Sequence, residues 1–130
     1  MNIIVVDDLA PIALTYKAIL ARAGYEVEAF THSDEAIAYM QANPTSFDLV
    51  ITDIYMPETN GVDLIHAARQ INPNAKTLCI TGGGGFDQDT SLMQQARQIA
   101  DMLSFKPIHS AQLTNTVNTL MREQKTAANG

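Results

Sequence analysis

Leu49, Val50 and Ile51 form an apolar run without the alternation of a half-exposed strand, and the run closes on an acid, Asp53. Such a run reads as a strand buried on both faces, which demands a parallel sheet covered by helices on either side. Pro57 and then Gly61 mark a loop that opens a new helix. An acid at the carboxyl end of a central strand sits where open α/β sheets hold their chemistry. Taken alone, Asp53 serves equally well to close a turn.

The remaining chain supplies the partners such a strand needs. Ile3-Ile4-Val5-Val6 is a second buried run, ending in Asp7-Asp8, and a helix follows from about Pro11 with the stripe Ile12, Tyr16, Ile19, Leu20 and Ala23 until Gly24 stops it. Tyr25 to Phe30 alternates around Glu26 and Glu28, which suits a strand near a sheet edge. Ser33 is placed to cap a second helix that Pro44 closes. A helix from Gly61 to Asn72-Pro73, a strand Lys76 to Thr81, a helix through Leu92, Met93, Ala96 and Ile99, a strand Met102 to Phe105 and a last helix through Leu113, Val117, Leu120 and Met121 complete the alternation. Five strands alternating with five helices predict one parallel sheet with helices on both faces. A single domain is expected over residues 1–124, with a flexible tail over 125–130.

Composition narrows the function classes. At 130 residues and 46% hydrophobic, the chain has enough material for one ordinary core. Its net charge of −6, with the eight Lys and Arg scattered, argues against nucleic acid or an anionic membrane as a direct partner. No apolar run approaches the roughly 18 residues of a membrane span, and no signal peptide is evident, so a cytoplasmic protein is expected. One cysteine, Cys79, excludes an internal disulfide and a Cys-rich zinc site; its place inside an apolar strand makes it core. His32, His66 and His109 fall in separate segments without ligand spacing.

In a sheet of this kind the carboxyl ends of the strands share one rim, and four of them deliver polar residues there: Asp7 and Asp8, Asp53, Thr81, and Lys106. Carboxylates so gathered repel by roughly 4 kcal/mol per pair at 4 Å and an effective dielectric near 20. A hard divalent ion such as Mg²⁺ and the lysine would offset that repulsion and neutralise an incoming phosphoryl group, leaving one carboxylate free to attack it. The Thr81 hydroxyl can donate to a phosphoryl oxygen.

Asp7-Asp8, Asp53 with Met56-Pro57 and Gly61, Thr81, and Lys106-Pro107 stand in order on the correct strand ends, and this set resembles the receiver domain of two-component response regulators, in a stand-alone, chemotaxis-type single-domain arrangement. The resemblance runs from about Asn2 to Glu123 and implies a flavodoxin-like strand order 2-1-3-4-5. It implies Asp53 as phosphoacceptor, Mg²⁺ held by Asp7, Asp8, Asp53 and the Tyr55 backbone carbonyl, and Thr81 and Lys106 on the phosphoryl oxygens. It also implies a histidine kinase or histidine phosphotransfer protein as donor, a downstream protein target, and no catalysis beyond Mg²⁺-dependent self-phosphorylation and autodephosphorylation. The face of the fourth helix, fifth strand and fifth helix is the family's usual signalling surface.

The chain departs from the family pattern in three places. Receivers usually carry an aromatic switch residue three positions before the lysine; here that position is Leu103, and the ring sits at Phe105, so both are switch candidates sharing one strand face. The Gly82-Gly83-Gly84-Gly85 run predicts a mobile loop beside the site and a frayed first turn after it. It lacks the Gly-Lys-Ser or Gly-Lys-Thr of a nucleotide loop. Tyr55 and Gly83 hold the two positions that tune water access in this family. Three alternatives share parts of the pattern: a phosphorylation-independent interaction module, a receiver excised from a larger regulator, and an aspartate-nucleophile phosphohydrolase. The last normally carries Asp-x-Asp on its first strand, whereas here the acids are adjacent.

Overall fold

A computed structural model describes residues 2–82 and 90–129, with side chains described over 2–82 and 91–122. The glycine-loop expectations, including the role of Gly83, fall on residues outside these, apart from Gly82. The elements follow as β1 (Asn2–Val6), α1 (Ala10–Arg22), β2 (Glu26–Phe30), α2 (Ser33–Ala42), β3 (Leu49–Thr52), α3 (Gly61–Ile71), β4 (Lys76–Thr81), α4 (Thr90–Ile99), β5 (Met102–Phe105) and α5 (Ser110–Asn129). All neighbouring strands pair in parallel, in the order β2-β1-β3-β4-β5. The central strands β1 and β3 are the continuous apolar runs, and the alternating strand β2 is an edge, as the sequence predicts.

Strand alternation divides the core into layers. On one face, Ile3, Val5, Leu49, Ile51, Leu78 and Ile80 pack against Tyr16 and Leu20 of α1 and Leu113 and Val117 of α5. On the other, Ile4, Val6 and Val50 meet Met40 of α2 and Leu64 of α3. Toward β5 the same face continues as Ile54, Val62, Ile65, Cys79 and Ala96, with Leu103 packed on the cluster.

Helix ends follow local chemistry, with two differences from expectation. Pro11 sits in the first turn of α1, and Gly24 takes the positive φ of 101° that ends it. Ser33 is not the cap of α2. It is the first helical residue, His32 precedes it, and the Ser33 hydroxyl donates instead to the Thr59 carbonyl at 2.9 Å, tying α2 to the β3–α3 loop. The last helix runs through Asn129, over the stretch expected to be a tail. Glu123, Gln124, Lys125, Ala127 and Ala128 are all residue types that prolong a helix readily.

The acid-lysine cluster at the strand ends

Three strands extend their ladders by one residue at the rim. The Asp7 N–H donates to the Phe30 carbonyl at 3.1 Å, the Asp53 N–H to Val6 at 3.3 Å, and the Lys106 N–H to Thr81 at 2.7 Å. Alternation then carries Asp7 to the face of Val5, Asp53 to that of Ile51 and Lys106 to that of Met102, which is the α1/α5 side. There the Lys106 Nζ donates to Asp7 Oδ2 at 3.0 Å and to Asp53 Oδ2 at 2.9 Å. The Lys106 side chain is 19% exposed, Asp7 3% and Asp53 12%, so the three charges lie in a recess that water only partly reaches.

Each carboxylate divides its oxygens between backbone and lysine. Asp7 Oδ1 accepts from the Leu9 N–H at 3.0 Å, and Asp53 Oδ1 accepts from the Tyr55 N–H at 3.3 Å. Burial works against the Lys106 charge, but hydrogen bonds and negative charge from Asp53 and Asp7 outweigh it, so this lysine holds its proton more tightly than a free one. Asp8 completes an acidic group with Asp7 and Asp53, whose oxygens lie within 4.8 Å of one another. An all-oxygen carboxylate set fits a hard cation such as Mg²⁺ and not a soft one.

The backbone behind Asp53 is braced. The Gly61 N–H donates to the Ile54 carbonyl at 2.8 Å, and the first turn of α3 approaches so closely that a Cβ at Gly61 would lie 2.1 Å from the Asp53 carbonyl oxygen. Asn60 caps α3 by accepting from the Asp63 N–H at 2.9 Å.

Thr81 ends β4 fully buried, on the face of Cys79 rather than that of Lys106. Leu103 packs on that cluster, while Phe105, on the same strand face, is 46% exposed with the Arg97 guanidinium 6.0 Å from its ring centre. Tyr55 is half-buried at the edge of the same cluster. Burial, helped by the Asp53 charge, pushes the Cys79 thiol up to about 12, as befits a core residue.

Two features were not singled out in the sequence. His32 lines a recess of about 240 Å³ with Asp8, Thr31, Ser33, Met56, Pro57 and Glu58, whereas His66 and His109 are exposed elsewhere. Tyr16, read as one member of an apolar stripe, is 7% exposed, and its phenol feels Lys106, Asp7 and Asp53. A polar tip inside an otherwise aliphatic stripe was the available signal. Among the described residues no helix is long and apolar enough to cross a membrane.

Comparison with known proteins places this geometry. Residues 3–118 match the model of the response regulator receiver domain. The chain is 31% identical over 123 residues to the chemotaxis protein CheY of Thermotoga maritima, spanning 93% of this chain and 98% of that protein. It is 32% identical over 104 residues to the response regulator receiver protein CpdR of Brucella abortus, spanning 78% and 81% of the two. Among solved structures, a CheY-like receiver domain protein from Methanospirillum hungatei superposes with a TM-score of 0.86 at 27% identity, over 97% of each chain. The strand order, the strand-end acids and these similarities agree: the chain belongs to the response regulator receiver family of two-component signalling.

Proposed function

We propose that this receiver accepts a phosphoryl group on Asp53 from a phosphohistidine of a partner and signals through protein contacts. The observation that carries the reading is the bridging of Asp7 and Asp53 by one lysine ammonium at 3.0 and 2.9 Å. A cation bonded to both carboxylates fixes where Asp53 points, and the same cation is available to the phosphoryl oxygens. The Asp53 carboxylate oxygen attacks phosphorus, the bond from phosphorus to the imidazole nitrogen breaks, and the imidazole leaves with its electron pair. Reset is attack of water on phosphorus with release of the Asp53 carboxylate.

In this reading Asp7, Asp8, Asp53 and the Tyr55 carbonyl hold Mg²⁺, which when bound offsets the charge of the phosphoryl oxygens. Lys106 shifts from Asp53 toward one phosphoryl oxygen, and Thr81 offers its hydroxyl to another. Leu103 and Phe105, on the strand face that Thr81 shares, are the candidates for passing that movement to the α4 side. The donor is a histidine kinase or histidine phosphotransfer protein, the target another protein, and the compartment the cytoplasm.

The test is incubation with Mg²⁺ and acetyl phosphate followed by intact mass. A gain of about 80 Da that disappears in Asp53→Asn is the expected result. Absence of the adduct under all conditions would favour a phosphorylation-independent module. Release of phosphate in large excess over protein would favour a hydrolase.

A further inference from the structure

Leu9, Leu14 and Phe105 are the large apolar side chains left exposed among the described residues, and two of them belong to α1 and its N-cap. Leu14, in the second turn, is 60% exposed and Leu9 54%. They do not stand alone. At 3.6 residues per turn, Ala10, Pro11, Leu14, Ala18 and Ala21 fall within about 100° of arc, and all five are exposed. Helix α1 holds no acid in a chain with fourteen, and its two bases, Lys17 and Arg22, make no ion pair among the described residues. A row of exposed apolar side chains bordered by unpaired charge marks a contact surface.

The face is graded along its length. Its amino-terminal half is bulky, with Leu9 and Leu14, and borders the acids, Asp8 being exposed two residues before the helix. Its carboxyl-terminal half is small, with Ala18, Ala21 and the C-cap Ala23, and ends on Arg22. Such a gradient suits an antiparallel copy of itself. About a two-fold axis at the level of Tyr16, Leu14 lies opposite Ala18 of the second copy and Leu9 opposite Ala23. Arg22 then lies opposite Ala10, about 3 Å along the helix from Asp8. Each bulky side chain meets a small one and each base meets an acid, twice over by symmetry. A parallel pairing would set leucine on leucine and arginine on arginine.

We propose that this face of α1 is an interface between two copies of the chain, packed antiparallel about that two-fold axis. Each copy carries a net charge of −6, and an acid-free helix lets the two approach without setting acid against acid along the contact. The contact is about 20 Å of helix, small beside the roughly 800 Å² per partner of a standard interface. The pair is therefore weak and forms at high concentration. It stands whether or not Asp53 accepts a phosphoryl group.

The experiment is sedimentation equilibrium in EDTA, without phosphodonor. The expected result is a monomer that becomes a dimer with a dissociation constant between about 10 μM and 1 mM. Leu14→Asp and Arg22→Glu, both at exposed positions, should each weaken it at least about tenfold, with far-ultraviolet circular dichroism unchanged. A mixture of Leu14→Cys and Ala18→Cys proteins, oxidised and weighed by intact mass, locates the contact, because Cys79 is buried. The mixed disulfide should form beyond its random share. A wild type that stays monomeric over that range overturns the proposal and leaves the face to a different protein. So does a dimer indifferent to both substitutions, or a mixed disulfide at no more than its random share, since the copies would then meet elsewhere or in another register.

Discussion

Gly61→Ala is the substitution that most directly probes how Asp53 is held. The backbone at Gly61 is not left-handed, so alanine is acceptable there conformationally, and an alanine in the first turn of a helix gains about 0.5–1 kcal/mol over glycine. Sterics oppose this. The new methyl would lie 2.1 Å from the Asp53 carbonyl oxygen and 2.8 Å from the Ile54 Cα, below any real contact distance. Both neighbours are backbone, so relief requires α3 and the segment after β3 to part by roughly 1 Å. That movement sacrifices the 2.8 Å hydrogen bond from Gly61 N–H to Ile54, worth about 1 kcal/mol, and adds overpacking strain of about 1–3 kcal/mol. The net expectation is a loss of about 1–3.5 kcal/mol. Urea unfolding followed by far-ultraviolet circular dichroism measures it, since the chain has no tryptophan. Because the crowded atom belongs to Asp53, adduct formation should slow as well. Gly24→Ala is the contrast: nothing lies within 4 Å of its new Cβ, and only its φ of 101° opposes the change, at about 1–2 kcal/mol. A Gly61→Ala protein within about 0.5 kcal/mol of wild type, with normal adduct formation, would refute the bracing argument.

Three further outcomes are expected. Lys106→Met should bind Mg²⁺ more tightly by isothermal titration calorimetry, because a competing cation is gone, while forming adduct at least about tenfold more slowly; equal Mg²⁺ affinity would show that the lysine does not contest the metal site. Asp101→Ala should cost about 2–3 kcal/mol in urea unfolding, since Asp101 Oδ2 accepts from both the Thr77 N–H at 2.8 Å and its hydroxyl at 3.1 Å. Cys79 gives a pH dependence. Its folded pKa lies above the unfolded one, so its contribution is complete below the unfolded value and is lost as pH rises toward about 12. Stability measured between about pH 8 and pH 10.5 should fall by about 2 kcal/mol more in the wild type than in Cys79→Ala, and parallel curves would contradict the shift.

The parts of the molecule legible in the sequence were those with a short-range physical signature. The runs Ile3–Val6 and Leu49–Ile51 announced central parallel strands because nothing polar interrupts them, and the glutamates of β2 announced an edge. Alternation placed Leu103 and Phe105 on one face. Harder to see were effects set by what lies across space. Ser33 resembles a helix cap, but the nearby Thr59 carbonyl claims its hydroxyl. Tyr16 resembles a core residue, and only the fold shows that its buried phenol is within the field of Lys106, 90 positions along the chain. The meeting of Lys106 with Asp7, 99 residues apart, followed from the shared rim of the strand carboxyl ends, whereas the division of one ammonium between Asp7 and Asp53 did not.

The one-residue extensions of the ladders at Asp7, Asp53 and Lys106 have a consequence for how the domain can be altered. Alternation along parallel strands puts these three charges on one side of the sheet, and Thr81 with Leu103 and Phe105 on the other. The sheet is therefore a partition, and its rim is where chemistry on one side can be felt on the other. Helices α1 and α5 can be remodelled while α4 keeps its shape, and the reverse also holds. The two faces are free to change independently because a single layer of backbone hydrogen bonds stands between them.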